Sequence, residues 1–508
     1  MAVDLTIFED EGLGADFIEW LVTEKAGSIQ RHFERLWDYY ANQMQEASDT
    51  GGSARKGISY VLAQERGLPA RITGATRMGL TSTGDIQRKE VVIENDIAWR
   101  VNAMVDFLFG KPVAIASKAA DWQKRREIEA ILGAVFEANG GVGFFQDMAV
   151  LGSVYGFVDC MVRPGTELYE QMLLSHPGQS SASKAIELAR TIDLELVEAP
   201  RALPVLDEGD YRKIRYYVQH FIQQKNSIGS KGSFLSRLFG GGSSGIQRAS
   251  SAVTEIYGPE AWQRYEDGEL AAEGRNPWGF VPVVHIQNIA QPYYYEGQSD
   301  VEPLVPLQDE LNTRLSDRAS RITLQAFKMY LAKGIDSIEE KTVSPGRIWR
   351  TDNLDASIEE FGGDSGAGSE DTHINEIRDA MDKASGVTPI VAGLLKSKVG
   401  NLTSAVALKL TLMGTLSKTE RKKFTYGRGI ARLGAMVLEM LDKSGVYPND
   451  TQDRGIEVVF PSPLPEDTME KLKEGQIKRE LGVPQEQVLR ELGYEAGPDG
   501  AIGMRIEV

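Results

Sequence analysis

Ser299-Asp-Val-Glu-Pro-Leu-Val-Pro-Leu-Gln-Asp-Glu-Leu-Asn312 is the stretch that decides how the second half of this chain folds. Its first four residues have the S-x-x-E spacing of a capping box, whose Ser and Glu side chains satisfy free amides at a helix start. Pro306 disturbs the first turn, so the helix begins or kinks there. Leu304, Leu311, Leu315 and Ile322 form a narrow apolar stripe. Glu310 with Arg314 and Asp317 with Arg321 are i,i+4 pairs of the supporting orientation, about 0.2–0.5 kcal/mol each. A narrow stripe with charge elsewhere predicts a helix that packs side by side with neighbours.

Downstream, residues 328–370 read as a β-like insert with a Gly/Ser/Asp-rich tip, Phe361-Gly-Gly-Asp-Ser-Gly-Ala-Gly-Ser369. A second helix over about 372–385 turns Ile374, Ile377 and Met381 inward and places Glu376, Asp379 and Asp382 on another side. Gly386 to Asn401 reads as a flexible loop carrying Lys396 and Lys398. From about Thr403 to Leu441 the pattern is helical throughout, a rod of roughly 57 Å at 1.5 Å per residue. Its later half has a core face of Ile430, Leu433, Val437, Met440 and Leu441, and Lys443-Ser-Gly445 closes it. A strand over Ile456–Phe460 precedes Pro461-Ser-Pro-Leu-Pro465. Two short helices follow, opened by Asp467 with Glu470 and by Pro484.

Upstream, Ile29, Phe33, Leu36 and Tyr40 mark a helix over 15–46. A second runs from Asn95 through Ile97, Val101, Met104, Val105 and Leu108 to Gly110-Lys-Pro112. Helices over about 121–138 and 142–155 are divided by Asn139-Gly-Gly141. The period then changes to two: Ile192, Leu194 and Leu196, then Ile214, Tyr216, Val218, His220 and Ile222, read as half-buried antiparallel strands. Strands resume at Val253–Tyr257 and Val281–Ile286. Between Ile222 and Val253, residues 225–251 are a basic Gly/Ser-rich loop. Its Gly241-Gly-Ser-Ser-Gly245 matches G-x-S-x-G in letters only, because the nucleophile elbow needs a strand before it and a helix after it.

A chain of 508 residues, 42% hydrophobic and 25% charged, exceeds one core and predicts two to four domains or subdomains. No run approaches the roughly 18 apolar residues of a membrane span, and the acidic N-terminus lacks the features of a signal peptide, so a cytoplasmic site of synthesis and no membrane are expected. Cys160, the one cysteine, sits in an apolar run and reads as a buried small hydrophobe. The five histidines have no ligand spacing, and no phosphate loop, H-E-x-x-H or C-x-x-C is present. No metal, no cofactor and no catalytic residue are expected, and Glu339–Glu340 and Glu359–Glu360 read as solvated acids. The net charge of −17 excludes wrapping of DNA by phosphate neutralisation. It fits either simple solubility or a surface that keeps DNA close without holding it.

Four phrases in order carry a resemblance. Asn95-Asp-Ile-Ala98 with Val105-Asp-Phe-Leu-Phe-Gly-Lys-Pro112 is the first. Gly279-Phe-Val-Pro-Val-Val-His-Ile-Gln-Asn288 followed by Tyr295-Glu-Gly-Gln-Ser-Asp300 is the second. Leu307-Gln-Asp-Glu-Leu-Asn312 is the third, and Phe460 onward, with Pro465-Glu-Asp467 and Gly482-Val-Pro484, is the fourth. Over most of its length the chain resembles the portal proteins of tailed bacteriophages and gene-transfer particles, the head-to-tail connector family. The resemblance implies an α+β, mainly helical fold: N-terminal helices and a β-rich wing over 1–298, stem helices at 299–327 and 371–386, and a β-containing clip at 328–370. It further implies a tunnel loop at 387–403, a long wing helix with its return strand at 404–461, and a helical crown at 462–508. It implies a ring, of twelve subunits, at one capsid vertex of the virion, assembled in the host cytoplasm. Double-stranded DNA would pass through it without sequence specificity during packaging and ejection. The implied partners are the terminase large subunit (the packaging ATPase), major capsid and scaffolding proteins, and head-completion, adaptor and tail proteins. Lys396, Lys398 and Asn401 would face DNA from the tunnel loop, and Glu376, Asp379 and Asp382 would line the channel. The lysines read equally as ordinary solvated residues, and the acids as a solvated face. Twelve copies at −17 each sum to roughly −200 charges, a field that repels phosphate and spares a moving duplex from tight contacts.

Two other readings share the acidity and the missing motifs. One is a different virion ring or scaffold, such as a tail or baseplate component, which needs no helix–insert–helix over 299–386. The other is a regulatory or metabolic enzyme with an unfamiliar site, which requires a pocket with converging titratable groups.

Overall fold

The computed structural model of the chain describes residues 4–8, 13–42, 92–173, 182–225, 249–326, 329–333, 355, 357–361, 368–389, 409–464, 468–482, 485, 488–489, 494–496 and 502–504. In chain order, α1 (Ala15–Trp20) passes through a π-helical stretch (Leu21–Lys25) into α2 (Ala26–Ala41), and α3 (Ala98–Phe109) precedes β1 (Ala114–Ser117). There follow α4 (Trp122–Ala138), α5 (Val142–Tyr155), β2 (Phe157–Arg163), α6 (Thr166–Leu173), α7 (Ala182–Ala189) and β3 (Asp193–Val197). The next run is all strand: β4 (Ala202–Leu206), β5 (Ile214–Lys225), β6 (Ala249–Tyr257), β7 (Ala261–Glu266), β8 (Glu269–Arg275) and β9 (Val283–Gln287). After it come α8 (Val305–Ala326), β10 (Met329–Lys333), β11 (Ser357–Phe361), α9 (Gly368–Ser385) and α10 (Met413–Lys443). β12 (Ile456–Val459), α11 (Thr468–Glu480), β13 (Tyr494–Ala496) and β14 (Ile502–Met504) complete the chain. The fold class is α+β.

The chain divides into two units, one of Met1–Tyr40, Trp99–Glu302 and Gly386–Val508, the other of Ala41–Ala98 and Pro303–Ser385. In the first, β3-β2-β9 form one antiparallel sheet and β4-β5-β6-β7-β8 another. β2 is buried along Phe157–Val162, so an unbroken apolar run, rather than an alternating one, suits its central place. Cys160 lies there fully buried between Leu196 and Val284, as expected. Phe8, Leu13, Ile18 and Leu21 at the N-terminus cover Leu203, Tyr216, Val218, Ile256 and Tyr265 of the larger sheet. Arg163 joins the two sheets through Glu195 (2.6 Å) and the buried Glu255 (2.7 Å). α10 lies against β9, β2, β12 and α4, burying Ile430, Leu433, Val437, Met440 and Leu441.

Local signals explain where elements stop. Asn139 ends α4, donating to Val135 O and Ile192 O and accepting from Leu194 N–H, while Gly140 and Gly141 take positive φ before α5. Phe109 ends α3 among Phe145, Tyr426 and Phe460, and Lys111 donates to Ser462 O (3.0 Å). A Cβ at Gly110 would meet Asp106 O at 2.3 Å, which is why glycine stands between them. The Phe-Gly-Lys turn is therefore a packing device.

The long helix differs from the sequence expectation. It begins at Met413 after a break at Leu412, giving roughly 46 Å instead of 57 Å. Residues 403–408 lie outside the described residues, as do Gly241–Gly245 and most of the segment after Pro484. β1, β2, β4, β7, β8, α6, α7 and the β13–β14 pair are additions to the elements expected. Among the described residues, no single helix is long and apolar enough to cross a membrane, and no group of three His, Cys, Asp or Glu could hold a metal.

Candidate functional site: a strapped helix pair and a buried ion cluster

Within the second unit, α8 and α9 pack side by side, α8 burying Leu311 and Leu315, with Leu304 buried just before its start, and α9 burying Ile374, Ile377 and Met381. Ile322, the last member of the expected stripe, is instead exposed. Glu310 and Arg314 pair at 2.7 Å as their spacing predicts. Asp317 turns to Arg314 (3.4 Å), and Arg321 is drawn away to Glu370 of α9. Arg318 with Asp371 (2.9 Å) makes a second bridge between the helices. Antiparallel β10 and β11 stand between α8 and α9 in the chain, Met329 opposite Phe361.

The segment 92–96 runs extended beside α8 in a register that elementary geometry explains. Four helical residues rise about 6 Å and two extended residues about 6.7 Å, so the two repeats nearly match. Gln308, Asn312 and Ser316, four apart and all buried, meet residues 96, 94 and 92 in turn. Asp96 N–H donates to Gln308 Oε1 (3.1 Å), Glu94 N–H to Asn312 Oδ1 (2.9 Å) and Val92 N–H to Ser316 Oγ (3.0 Å). Gln308 Nε2 returns a bond to Glu94 O (2.6 Å), and Arg378 of α9 pairs with the Glu94 carboxylate (2.6 Å). One helix face thus supplies a strand's partners. Asn312→Ala is expected to cost about 1–3 kcal/mol, because it strands an amide and the Gln308 side chain. Amide exchange at Glu94 should rise in the same variant and not in Ile322→Ala, at an exposed position of the same helix.

Glu376 and Asp379 lie exposed on α9, away from its buried face, and Asp382 is half-buried. Lys396, Lys398 and Asn401 lie outside the described residues. Sequence reading missed the Gln308–Asn312–Ser316 ladder, whose signal was polar residues recurring at a spacing of four.

It also missed an ion cluster in the first unit, immediately before Pro303. Ser299 caps as expected, its Oγ accepting from Val301 N–H (3.0 Å) and Glu302 N–H (3.1 Å). The next residue, Asp300, is buried and takes both Lys418 (2.7 Å) and Lys422 (2.5 Å) from α10. Burial pushes the Asp300 carboxyl up, and the two ammonium groups outweigh it and hold it well below the usual carboxylate range. Burial pulls the Lys422 ammonium down, and Asp300 opposes it. Lys422 also donates to Ser153 Oγ (2.8 Å). Asn288 donates to Asp300 (3.2 Å) and Gln298 O (3.0 Å) and accepts from Tyr426 OH (3.0 Å). Two lysines four apart on one helix face repel each other. Here one buried acid reconciles them.

A second buried acid, Asp159, accepts from Tyr217 OH (2.8 Å) and Tyr295 OH (2.9 Å), and His285 lies between it and the chain, with Nδ1 2.7 Å from the Asp159 carboxylate and Nε2 2.7 Å from Tyr295 O. Burial pushes both tyrosines well up. These are the residue types of acid–base sites, but each polar atom is spent on a neighbour. The cluster ties β2, β5 and β9 to the chain before Ser299.

The family described as "Phage portal protein, SPP1 Gp6-like" matches residues 95–499. The chain belongs to that family. Phage portal proteins are structural and non-enzymatic, so the Asp159 and Asp300 clusters of this portal protein are supports for its fold. No curated relative matches the sequence. Among solved structures, a chain in the virion of a native gene transfer agent particle is similar at 12% identity and a TM-score of 0.38, covering 78% of this chain and 89% of that one. A chain in the neck of an empty gene transfer agent particle is similar at 14% and 0.39, covering 78% and 90%. The matched family range takes in both Asp300 with its lysines and the ladder on α8.

Proposed function

We propose that this portal protein forms a closed ring at one capsid vertex of a virion and is the passage for double-stranded DNA during packaging and ejection. The family match over residues 95–499 carries this reading. The succession of α8, a β pair and α9 supports assigning residues 299–327 and 371–386 to stem helices around a clip at 328–370. The remaining assignments are a wing over 1–298 and 404–461, a tunnel loop over 387–403 and a crown over 462–508. Glu376 and Asp379, with Asp382, face the channel, where their charge repels phosphate. Lys396, Lys398 and Asn401 touch DNA transiently at the narrowest point. The clip receives the terminase large subunit and then head-completion, adaptor and tail proteins, while capsid and scaffolding proteins surround the ring. Assembly takes place in the host cytoplasm.

Imaging and native mass of the purified chain test the ring. Twelve copies of 55.9 kDa give about 670 kDa with an axial hole that admits duplex DNA. A chain that stays monomeric at all concentrations overturns the reading. For the loop, Lys396→Ala with Lys398→Ala is expected to lower DNA retention in packaged particles, and unchanged retention removes the role.

A further inference from the structure

One face of α10 is out of keeping with a chain of net charge −17. Arg421, Phe424, Arg428 and Arg432 are all exposed and, at 100° per residue, fall within about 80° of one another along roughly 16 Å of helix. Phe424 is 71% exposed, among the most open aromatic side chains described. No carboxylate among the described residues pairs with any of the three arginines, although the lysines of the same helix all find acids: Lys418 and Lys422 at Asp300, Lys423 at Glu420 and Lys443 at Glu439.

The arginines also press on one another. Burial, then the fields of Arg428 and Arg212, hold the Arg432 guanidinium below its ordinary value. Arg212 itself reaches Asp210 (2.9 Å) and lies over the Tyr211 ring, which neighbours the open Tyr293 ring at 6.5 Å. Tyr293 is 84% exposed and holds a positive φ of 68°, a conformation unusual for an aromatic residue. Like charges four apart destabilise a lone helix. A surface that keeps them, beside two open aromatic rings, is incomplete by itself.

We propose that the Arg421–Phe424–Arg428–Arg432 face of α10 docks against an acidic face of the neighbouring copy of this chain. The proposal rests on the ring reading and assigns one side of its repeating interface. Charge complementarity selects the occupant. A second copy carries 73 acidic against 56 basic residues, so carboxylates are abundant on whatever face it presents. In a head-to-tail ring one patch of each subunit meets a different patch of the next, so the arginines of neighbouring copies need never face each other. Arginine and aromatic residues are the types enriched at such interfaces. The open phenyl ring argues against a phosphate backbone as the occupant, since phosphate offers it nothing to bury against.

Arg421→Glu/Arg428→Glu/Arg432→Glu, on exposed positions, is expected to keep the wild-type circular dichroism and melting curve while the ring fraction by native mass falls about tenfold or more. The corresponding triple glutamine variant should show a smaller loss. A wild-type ring with an equally abundant charge-reversed ring overturns this interface and leaves the ring reading intact. A wild-type chain that forms no ring overturns both. Should the reversed variant fail to fold, benzoylphenylalanine at position 424 in otherwise wild-type rings decides the matter. Light is expected to give a covalent pair of two copies of the chain. Rings that yield no such pair, or that crosslink only to added duplex DNA, refute the assignment.

Discussion

Asp300→Ala is expected to destabilise the first unit by about 3–5 kcal/mol, the range for removing one partner of a buried ion pair. The loss comes less from the missing attraction than from what remains. Lys422 is 1% exposed and keeps only Ser153 Oγ, so its ammonium is left buried without a counter-charge. Asp300→Ala with Lys422→Met should recover much of the stability, since an apolar pair of similar volume replaces a buried ionic one at little cost. The pH dependence has a defined sign. Because the folded carboxyl is held below its unfolded value of about 4, its contribution is complete above that value and is lost as pH falls through and below it. Urea midpoints at pH 7 and pH 3 should therefore differ more for the wild type than for Asp300→Ala. Equal stability of the wild type and Asp300→Ala at pH 7 would show that the cluster is not a support.

Gly156→Ala should be as damaging, by a different route. Gly156 follows α5 at φ +94°, which costs an L-residue about 1–2 kcal/mol in strain alone. An added Cβ would also lie 2.4 Å from Gly297 O, a backbone atom that cannot swing aside. The approach is mutual, since a Cβ on Gly297 would meet Gly156 O at the same 2.4 Å. Gly156 O meanwhile accepts from Asn288 N–H (2.8 Å), and Asn288 is a member of the Asp300 cluster. Forcing the two backbones apart disturbs that cluster as well, so a loss of about 4 kcal/mol or more is expected. Gly482→Ala supplies the comparison: φ is +89° there with nothing within 4 Å, so only the strain should appear. Thermal melts of the three glycine variants, at 156, 297 and 482, distinguish contact from strain. Equal melting points for all three would refute the close approach.

What could be read beforehand was set by neighbours in the chain. The Asn139-Gly-Gly141 break and the Ser299 cap depend on bonds between residues a few positions apart, and each appears where it was expected. The strand over 214–222 forms, but its burial does not alternate: Tyr217 and Gln219 are buried along with Tyr216 and Val218, and Ile222 is exposed, because β5 is covered on both faces at its centre and open towards its end. β7 and β8 also carry a local signal: Asp267-Gly268, with both φ positive, is a hairpin turn between them. The stripe on α8 ends before Ile322 because burial depends on what lies opposite, and Arg321 finds Glu370, 49 residues away, before Asp317.

The sequence by itself determined the α+β class, most of the long helices, the buried state of Cys160 and, through a family match over residues 95–499, the portal family. Only tertiary structure decided that Asp300 would reconcile Lys418 with Lys422, that 92–96 would lie on the Gln308–Asn312–Ser316 ladder, and that Arg421, Arg428 and Arg432 would be left facing outward. The reason is common to all three. A helix fixes which side chains share a face, because that is a matter of 100° per residue. Whether the face is then buried, paired or left open depends on residues more than a hundred positions away.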